Sequence, residues 1–226
     1  MKIHLIGCGG VGSWLAPSLC LLRKPEDIVL IDGDKLEKKN MNRQLFSESD
    51  IGSNKAFALA DRYSCDSMDE YYAAGLMEHD RTDWLFCCAD NNPCRNAVLK
   101  SCDQYGCSAI IAANETTSSE AYYYRRSWRE GPLDPRVYYP ELGTDHSGDP
   151  RAEAIGCTGE AQEQNPQLVT SNAMAAALAA HLFVLWALKA PRLDRDTVGR
   201  LPYKFRANMT LLETFRIHET LEKGQK

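Results

Sequence analysis

Residues 2–15 read KIHLIGCGGVGSWL, and the glycine spacing inside that stretch decides the fold. A short apolar run ends at Gly7, further glycines follow at Gly9, Gly10 and Gly12, and a helix-like segment begins directly behind them. Strand, glycine turn and helix in that order form a phosphate cradle. Glycines permit a tight turn and close backbone approach, and the helix start offers N–H groups that lack intrahelical acceptors. The spacing Gly7-x-Gly9-x-x-Gly12 fits a dinucleotide site, yet NAD, FAD and ATP all satisfy it. Asp32 ends the next strand, 20 residues past Gly12. An acidic residue there binds ribose hydroxyls, and an NAD ribose and an ATP ribose suit it equally.

Outward from the cradle, strand and helix signals alternate. KIHLIG, DIVLID, WLFCCAD and AIIAAN read as strands, and GSWLAPSLCLLRK, NKAFALADRYS and NPCRNAVLKSCDQYG as helices. Pro17 is expected to kink the first helix or delay its regular part. Asn92 is placed to cap the third helix, with Pro93 at its first position and Gly106 at its end. EAYYYRRSW reads as an added strand at a sheet edge. A long helix is expected from about Ser171 to Lys189, and YKFRANMTLLETFRIH as a closing strand or hairpin. Such alternation builds right-handed crossovers. The expected fold class is therefore α/β: a Rossmann-like, doubly wound, mostly parallel sheet with antiparallel C-terminal strands and helices on both faces. Residues 1–226 are expected to form a single domain, with an irregular, mobile crossover segment around 132–166 that is rich in Pro, Gly, Asp and Glu.

The chain has 226 residues, 44% of them apolar, which is enough for a full core. A net charge of −5 argues against general nucleic-acid binding, because such proteins usually present basic surfaces. The apolar run AMAAALAAHLFVLWAL, Ala173 to Leu188, is shorter than the roughly 18 residues of a membrane span and contains His181. A buried or interfacial helix is expected there, and no membrane partner. Nine cysteines, none in a Cys-x-x-Cys pair, fit reduced core thiols of a cytoplasmic protein and provide no two-by-two set for a tetrathiolate zinc site. A first strand starting at Lys2 leaves no room for a signal peptide.

The stretch DGDKLEKKNMNRQLF, Asp32 to Phe46, separates the nucleotides. Together with GCGGVGS, IGSNKA from Ile51, CADNNPCRN from Cys88 and CTGEAQEQNPQLVTSNAMAAALA from Cys157, it resembles the MoeB/ThiF/ubiquitin-activating-enzyme superfamily. These motifs span residues 2 to about 185. Members adenylate the C-terminal glycine of ubiquitin-like or sulfur-carrier proteins. The resemblance implies a ThiF-type adenylation domain, ATP and Mg²⁺ as cofactors, and a partner protein with a C-terminal glycine. By the same resemblance, Gly7, Gly9, Gly10 and Gly12 hold the phosphates, Asp32 takes the ribose hydroxyls with Asp34 beside it, and Asn40, Arg43 and Gln44 line the triphosphate. Arg43 would act as a bidentate fork and Lys55 as a point charge, while Asp90 would hold Mg²⁺. Taken singly, Asp32 and Asp34 read as turn residues and Asp90 as a helix cap. Arg95 and Asn96 match the family pattern too, and a structural role fits them equally.

Cys157 occupies the place of the transfer cysteine in sulfur-transfer members and stands as the candidate acceptor of an activated carboxyl group. Two departures matter. Bacterial members carry an N-terminal helical extension that brings an arginine to the neighbouring subunit's ATP. This sequence starts at its first strand, so either Arg125 or Arg126 substitutes or pyrophosphate departure is less assisted. The zinc cysteines are missing, and no zinc site is expected. A homodimer would use the alanine-rich face of residues 173–187 and Tyr122, Tyr123 and Tyr124, although core packing suits the helix equally. The rival readings are an NAD-dependent Rossmann oxidoreductase, a relative that activates a small carboxylate on tRNA, and a non-catalytic ThiF-fold binding protein.

Overall fold

Four short apolar strands run parallel through the centre of the molecule: β1 (Ile3–Ile6), β2 (Ile28–Ile31), β4 (Trp84–Cys87) and β5 (Ser108–Asn114). In the computed structural model, which describes residues 1–142, 168–188, 203–208 and 213–217, they belong to one eight-stranded sheet. Its order is β3-β2-β1-β4-β5-β6-β7-β8, with β3 (Asp66–Met68), β6 (Ser118–Arg125), β7 (Lys204–Asn208) and β8 (Glu213–Ile217) completing it. The first five strands in that order pair in parallel and the last three join antiparallel, so the sheet is mostly parallel with antiparallel C-terminal strands.

Alternation along each strand sends side chains to two separate cores. Ile3, Leu5, Ile28, Leu30, Phe86 and Ile110 pack under α1 (Gly10–Leu22), α2 (Lys55–Tyr63) and α5 (Val169–Trp186). Ile6, Ile31, Leu85, Cys87 and Ile111 pack under α3 (Asn92–Tyr105) on the opposite face. Strands covered on both faces tolerate continuous apolar runs, which is why IHLI and WLFC carry almost no polar residue.

The helix ends follow local chemistry. Asn54 caps α2 by accepting from Phe57 N at 3.0 Å, and Gly106, at φ +76°, closes α3 in the left-handed region. The cap of α3 is Asn91, whose Oδ1 accepts from Cys94 N at 2.8 Å; Asn92 is the first helical residue, so the helix starts one position earlier than expected. α1 starts at Gly10 and runs through Pro17, so its regular part is not delayed.

Three expectations change. β6 is not an edge strand, because β5 and β7 flank it. Tyr122, Tyr123 and Tyr124 are buried within it, so they cannot form a dimer surface; Tyr123 stacks on Trp84 and Trp186 in the α5 core. α5 begins at Val169 and reaches 18 residues, long and apolar enough by composition to cross a membrane. Its Ser171, Asn172, Ala175, Ala179 and Phe183 are nonetheless buried against α1, β5 and β6, as in the core helix of a folded domain. Residues 132–142, read as irregular, contain α4 (Pro135–Tyr138) and a 3₁₀ turn; the rest of that stretch, with Cys157, lies outside the described residues.

Candidate active site

The chain leaves β1, builds β2 and β3 on one side, and returns to place β4 on the other side of β1. This reversal of strand order opens a crevice beyond the carboxyl ends of the strands, the usual ligand position in an open parallel sheet. The cleft here encloses about 550 Å³, open solvent included, and nine of the residues singled out from sequence line it. Gly7, Gly9 and Gly10 form its floor, Asp32, Asp34 and Lys55 one wall, and Arg43, Gln44 and Asp90 the rest. Arg95 and Asn114 complete it from α3 and β5.

The floor depends on backbone contact. Gly7 has φ +86°, and a Cβ there would sit 2.8 Å from Ala89 N. Gly12 does not line the cleft; it packs beneath it, where a Cβ would fall 1.9 Å from Gly7 O. Gly9 caps α1 without a side chain, so no side-chain acceptor occupies the first amides of the helix. Those amides point an unsatisfied positive end at the cleft.

Asp32 is almost wholly buried and its two oxygens are already oriented: Oδ2 accepts from Cys8 N at 2.6 Å and Oδ1 from Asp34 N at 2.8 Å. Burial pushes its pKa up to about 6, with the Lys55 charge opposing that rise and the Asp34 charge adding to it. Asp34 Oδ2 accepts from Lys55 Nζ at 2.8 Å, and its Oδ1 accepts from Tyr71 Oη at 2.7 Å. Asp34 therefore positions the lysine. Tyr71 also lies across Gly33, where a Cβ would come within 2.8 Å of its ring. Asn54 ties these parts together by donating to Asp32 O, Asp34 O and Asp69 Oδ1.

Arg43 is held through its backbone. Its carbonyl accepts from Trp14 Nε1 at 3.1 Å, and the next amide but one, Leu45 N, donates to Ser13 Oγ at 3.0 Å, so α1 fixes the turn. Asn40 does not reach the cleft. Its Oδ1 accepts from Glu37 N at 3.1 Å and its carbonyl accepts from Gln44 N, so it shapes the turn that presents Arg43 and Gln44. Burial lowers the pKa of the Arg43 guanidinium, and the Asp90 charge across the cleft raises it again. Gln44 Oε1 and Arg95 Nε, both of lining residues, are buried with no hydrogen-bond partner among the described residues. An acceptor and a cationic donor left unpaired beside a helix N-terminus suit a polar anionic ligand. Arg95 carries no sequence signal beyond its place in the family pattern. Arg125 and Arg126 lie at the far end of β6, where Arg125 pairs with Ser108 at the start of β5, so within the chain neither reaches the cleft.

The sequence model of the ThiF family matches residues 1–219. The chain belongs to the ThiF family. Among curated relatives, the ubiquitin-like modifier-activating enzyme 5 of Drosophila virilis is 28% identical over 125 residues, covering 45% of this chain and 30% of that protein. The Aedes aegypti protein of the same name is 30% identical over 126 residues, covering 46% and 31%. The matched region thus spans about a third of these relatives' length. Solved structures share the ThiF-type fold: Escherichia coli MccB with ATP has a TM-score of 0.63 at 18% identity over 96% of this chain and 63% of that one. PaaA has a TM-score of 0.62 at 19% identity, with 96% and 72% covered.

The Asp32 environment predicts a pH effect. Its folded-state pKa lies above the ordinary 3.8, so between there and about 6 the folded protein holds a proton that the unfolded chain has released. Stability gained from that proton is complete below the window and lost as pH rises through it. A hydroxyl-donating ligand prefers the carboxylate, so nucleotide affinity is expected to fall as pH drops below about 6. Calorimetric titration of ATP–Mg²⁺ from pH 5 to 8 reads it directly, and an affinity flat over that range would remove Asp32 from the ligand contacts.

Proposed function

We propose that the chain is an ATP-dependent adenylyltransferase that activates the C-terminal glycine carboxylate of a small ubiquitin-like or sulfur-carrier protein. The observation that supports this most is the convergence, on one glycine-floored cleft, of Arg43, Lys55 and Arg95 with Asp32 and Asp90. A dinucleotide needs the floor and Asp32; three cations around the phosphate region suit a triphosphate better.

In this reading the attacking carboxylate oxygen forms a bond to the α-phosphorus, the bond to the α–β bridging oxygen breaks, and its electron pair leaves with pyrophosphate. Charge accumulates on the leaving oxygens, so catalysis is chiefly positioning and electrostatic stabilisation. The α1 amides and the glycine floor bind phosphate, Asp32 accepts from the ribose, and Arg43 and Lys55 meet the growing negative charge. Asp90 is an exposed carboxylate at the end of β4, the donor type Mg²⁺ prefers, and would hold that ion. Mg²⁺ would neutralise phosphate charge when bound. Arg43 and Asp90 face each other closely enough to share an electrostatic interaction, as joint action on one triphosphate requires. Names of the matched relatives, ubiquitin-like modifier-activating enzymes, favour a protein tail as the acceptor. Transfer of the activated carboxyl to Cys157 extends the same reading.

ATP–pyrophosphate exchange with small proteins ending in Gly-Gly, run beside a thermal melt, tests the proposal. Exchange with at least one candidate and stabilisation by ATP–Mg²⁺ but not NAD is the expected result. Stabilisation by NAD alone, with no exchange, would hand the cleft to an oxidoreductase.

A further inference from the structure

We propose that His4, His79 and Asp83 form a binding site for one divalent transition-metal ion, zinc foremost, toward the amino ends of the parallel strands and away from the nucleotide cleft. One ligand atom from each lies within 4.8 Å of the others, and all three residues are more than nine-tenths buried. Two imidazoles and a carboxylate are the donor set of a zinc site that keeps a fourth position for water, and modest closure of the three would bring them to zinc bond lengths of about 2.0–2.1 Å.

Unpartnered atoms point to a ligand. Among the described residues no hydrogen bond of ordinary length reaches either ring nitrogen of His4 or Nδ1 of His79, although all are buried, and the Asp83 carboxylate is the group that faces His4 Nε2. His4 Nε2 stands 3.7 Å from Asp83 Oδ2. That is too far for a hydrogen bond. It leaves room for an ion between them, since tetrahedral ligand atoms lie about 3.4 Å apart.

The surrounding contacts orient these ligands. Tyr72 Oη donates to Ser101 Oγ at 2.9 Å and contacts His79 Nε2 at 2.8 Å. With the hydroxyl proton directed at Ser101, Tyr72 accepts from Nε2–H, and the Nδ1 lone pair of His79 remains available. Metal-bound histidines are held this way by a partner on the second nitrogen. Asp83 is fixed by Lys2 N on Oδ1 at 2.7 Å and Asp80 N on Oδ2 at 2.8 Å.

An ion here would staple the connection between β3 and β4 to β1. His79 and Asp83 belong to that connection, and its other end supplies Asp69 and Tyr71, which brace Asn54 and Asp34 at the cleft. The nine cysteines gave no zinc set from spacing, and these residues are of a different ligand class.

The chelator-treated chain, titrated with Zn²⁺ against a chromophoric indicator, is expected to bind one ion and to melt at a higher temperature when loaded. Substituted with Co²⁺, it is expected to show tetrahedral d–d bands without a thiolate charge-transfer band, which separates this site from the cysteines. His79→Gln should abolish the stoichiometric site, and Tyr72→Phe should weaken it by roughly 10–100-fold. Absence of 1:1 binding, a thiolate band on the bound cobalt, or full retention of the ion by His79→Gln would each overturn the proposal. If His79→Gln does not fold, the wild-type cobalt spectrum alone decides.

Discussion

Replacing Arg43 with alanine is expected to lower ATP–pyrophosphate exchange by about 10²–10³-fold, the loss typical when one preorganised donor to a developing charge is removed. The cause is local. The Arg43 turn is anchored through its backbone carbonyl to Trp14, and the following Leu45 amide to Ser13, contacts that an alanine retains. The visible side-chain bonds, from Nη1 to Lys39 O and Asn42 Oδ1, are long at 3.3 Å. The lost activity should therefore appear without loss of fold, as a circular-dichroism melt will show. Arg43→Lys keeps the charge and loses the planar fork, so its rate should fall between the two. Wild-type exchange in Arg43→Ala would take the guanidinium out of the reaction and leave Lys55 and Arg95 as the phosphate cations.

The largest effect on stability is expected at Gly12. An alanine Cβ would lie 1.9 Å from Gly7 O, and the obstacle is backbone in a turn that is itself tied down by the Gly7 N–H donating to Ile31 O at 2.9 Å. Overpacking that side chains can absorb costs about 1–3 kcal/mol. Here the main chain must move, so the loss should exceed about 3 kcal/mol, or roughly 6–12 °C in Tm for a chain of this size. Gly9→Ala is the matched control. Its Cβ meets only Gln44 Nε2, at an ordinary 3.6 Å, so the steric obstacle present at Gly12 is missing there. It should fold normally while crowding the phosphate floor. Similar melting temperatures for the two variants would mean that the α1 start is not packed on the Gly7 turn.

The glycine turn, Asp32 and the alternating elements were legible because each is a local pattern with a fixed spacing. Elements defined by distant partners were not. β3 has the sequence DSM, which carries no β signal, and it exists because β2 offers a parallel edge. β6 reads as an edge strand until residues 204–208 return to pair with it and enclose its tyrosines. Asn40 stands in the right neighbourhood but faces inward and shapes the Arg43 turn, whereas Asp34 lines the cleft and positions Lys55. Arg95 was ambiguous because its position depends on how α3 meets the end of β5, a tertiary relation with no local signature. His79 and Asp83 lie close together in sequence, but His4 comes from β1 far upstream, and only the sheet brings it to them.

The cleft straddles a seam. Asp32, Arg43 and Lys55 hang from the β1–β2 leaf, Asp90 and Arg95 from the β4–β5 leaf, and the ladder joining the leaves runs only from Ile3↔Trp84 to Ile6↔Cys87. A slip of one residue along that ladder would turn Asp90 toward the opposite sheet face and move it about one residue rise from its cationic counterparts. The chemistry is thus a checksum on strand alignment: a molecule that pairs β1 and β4 out of step retains most of its secondary structure but no longer holds a working set of charges.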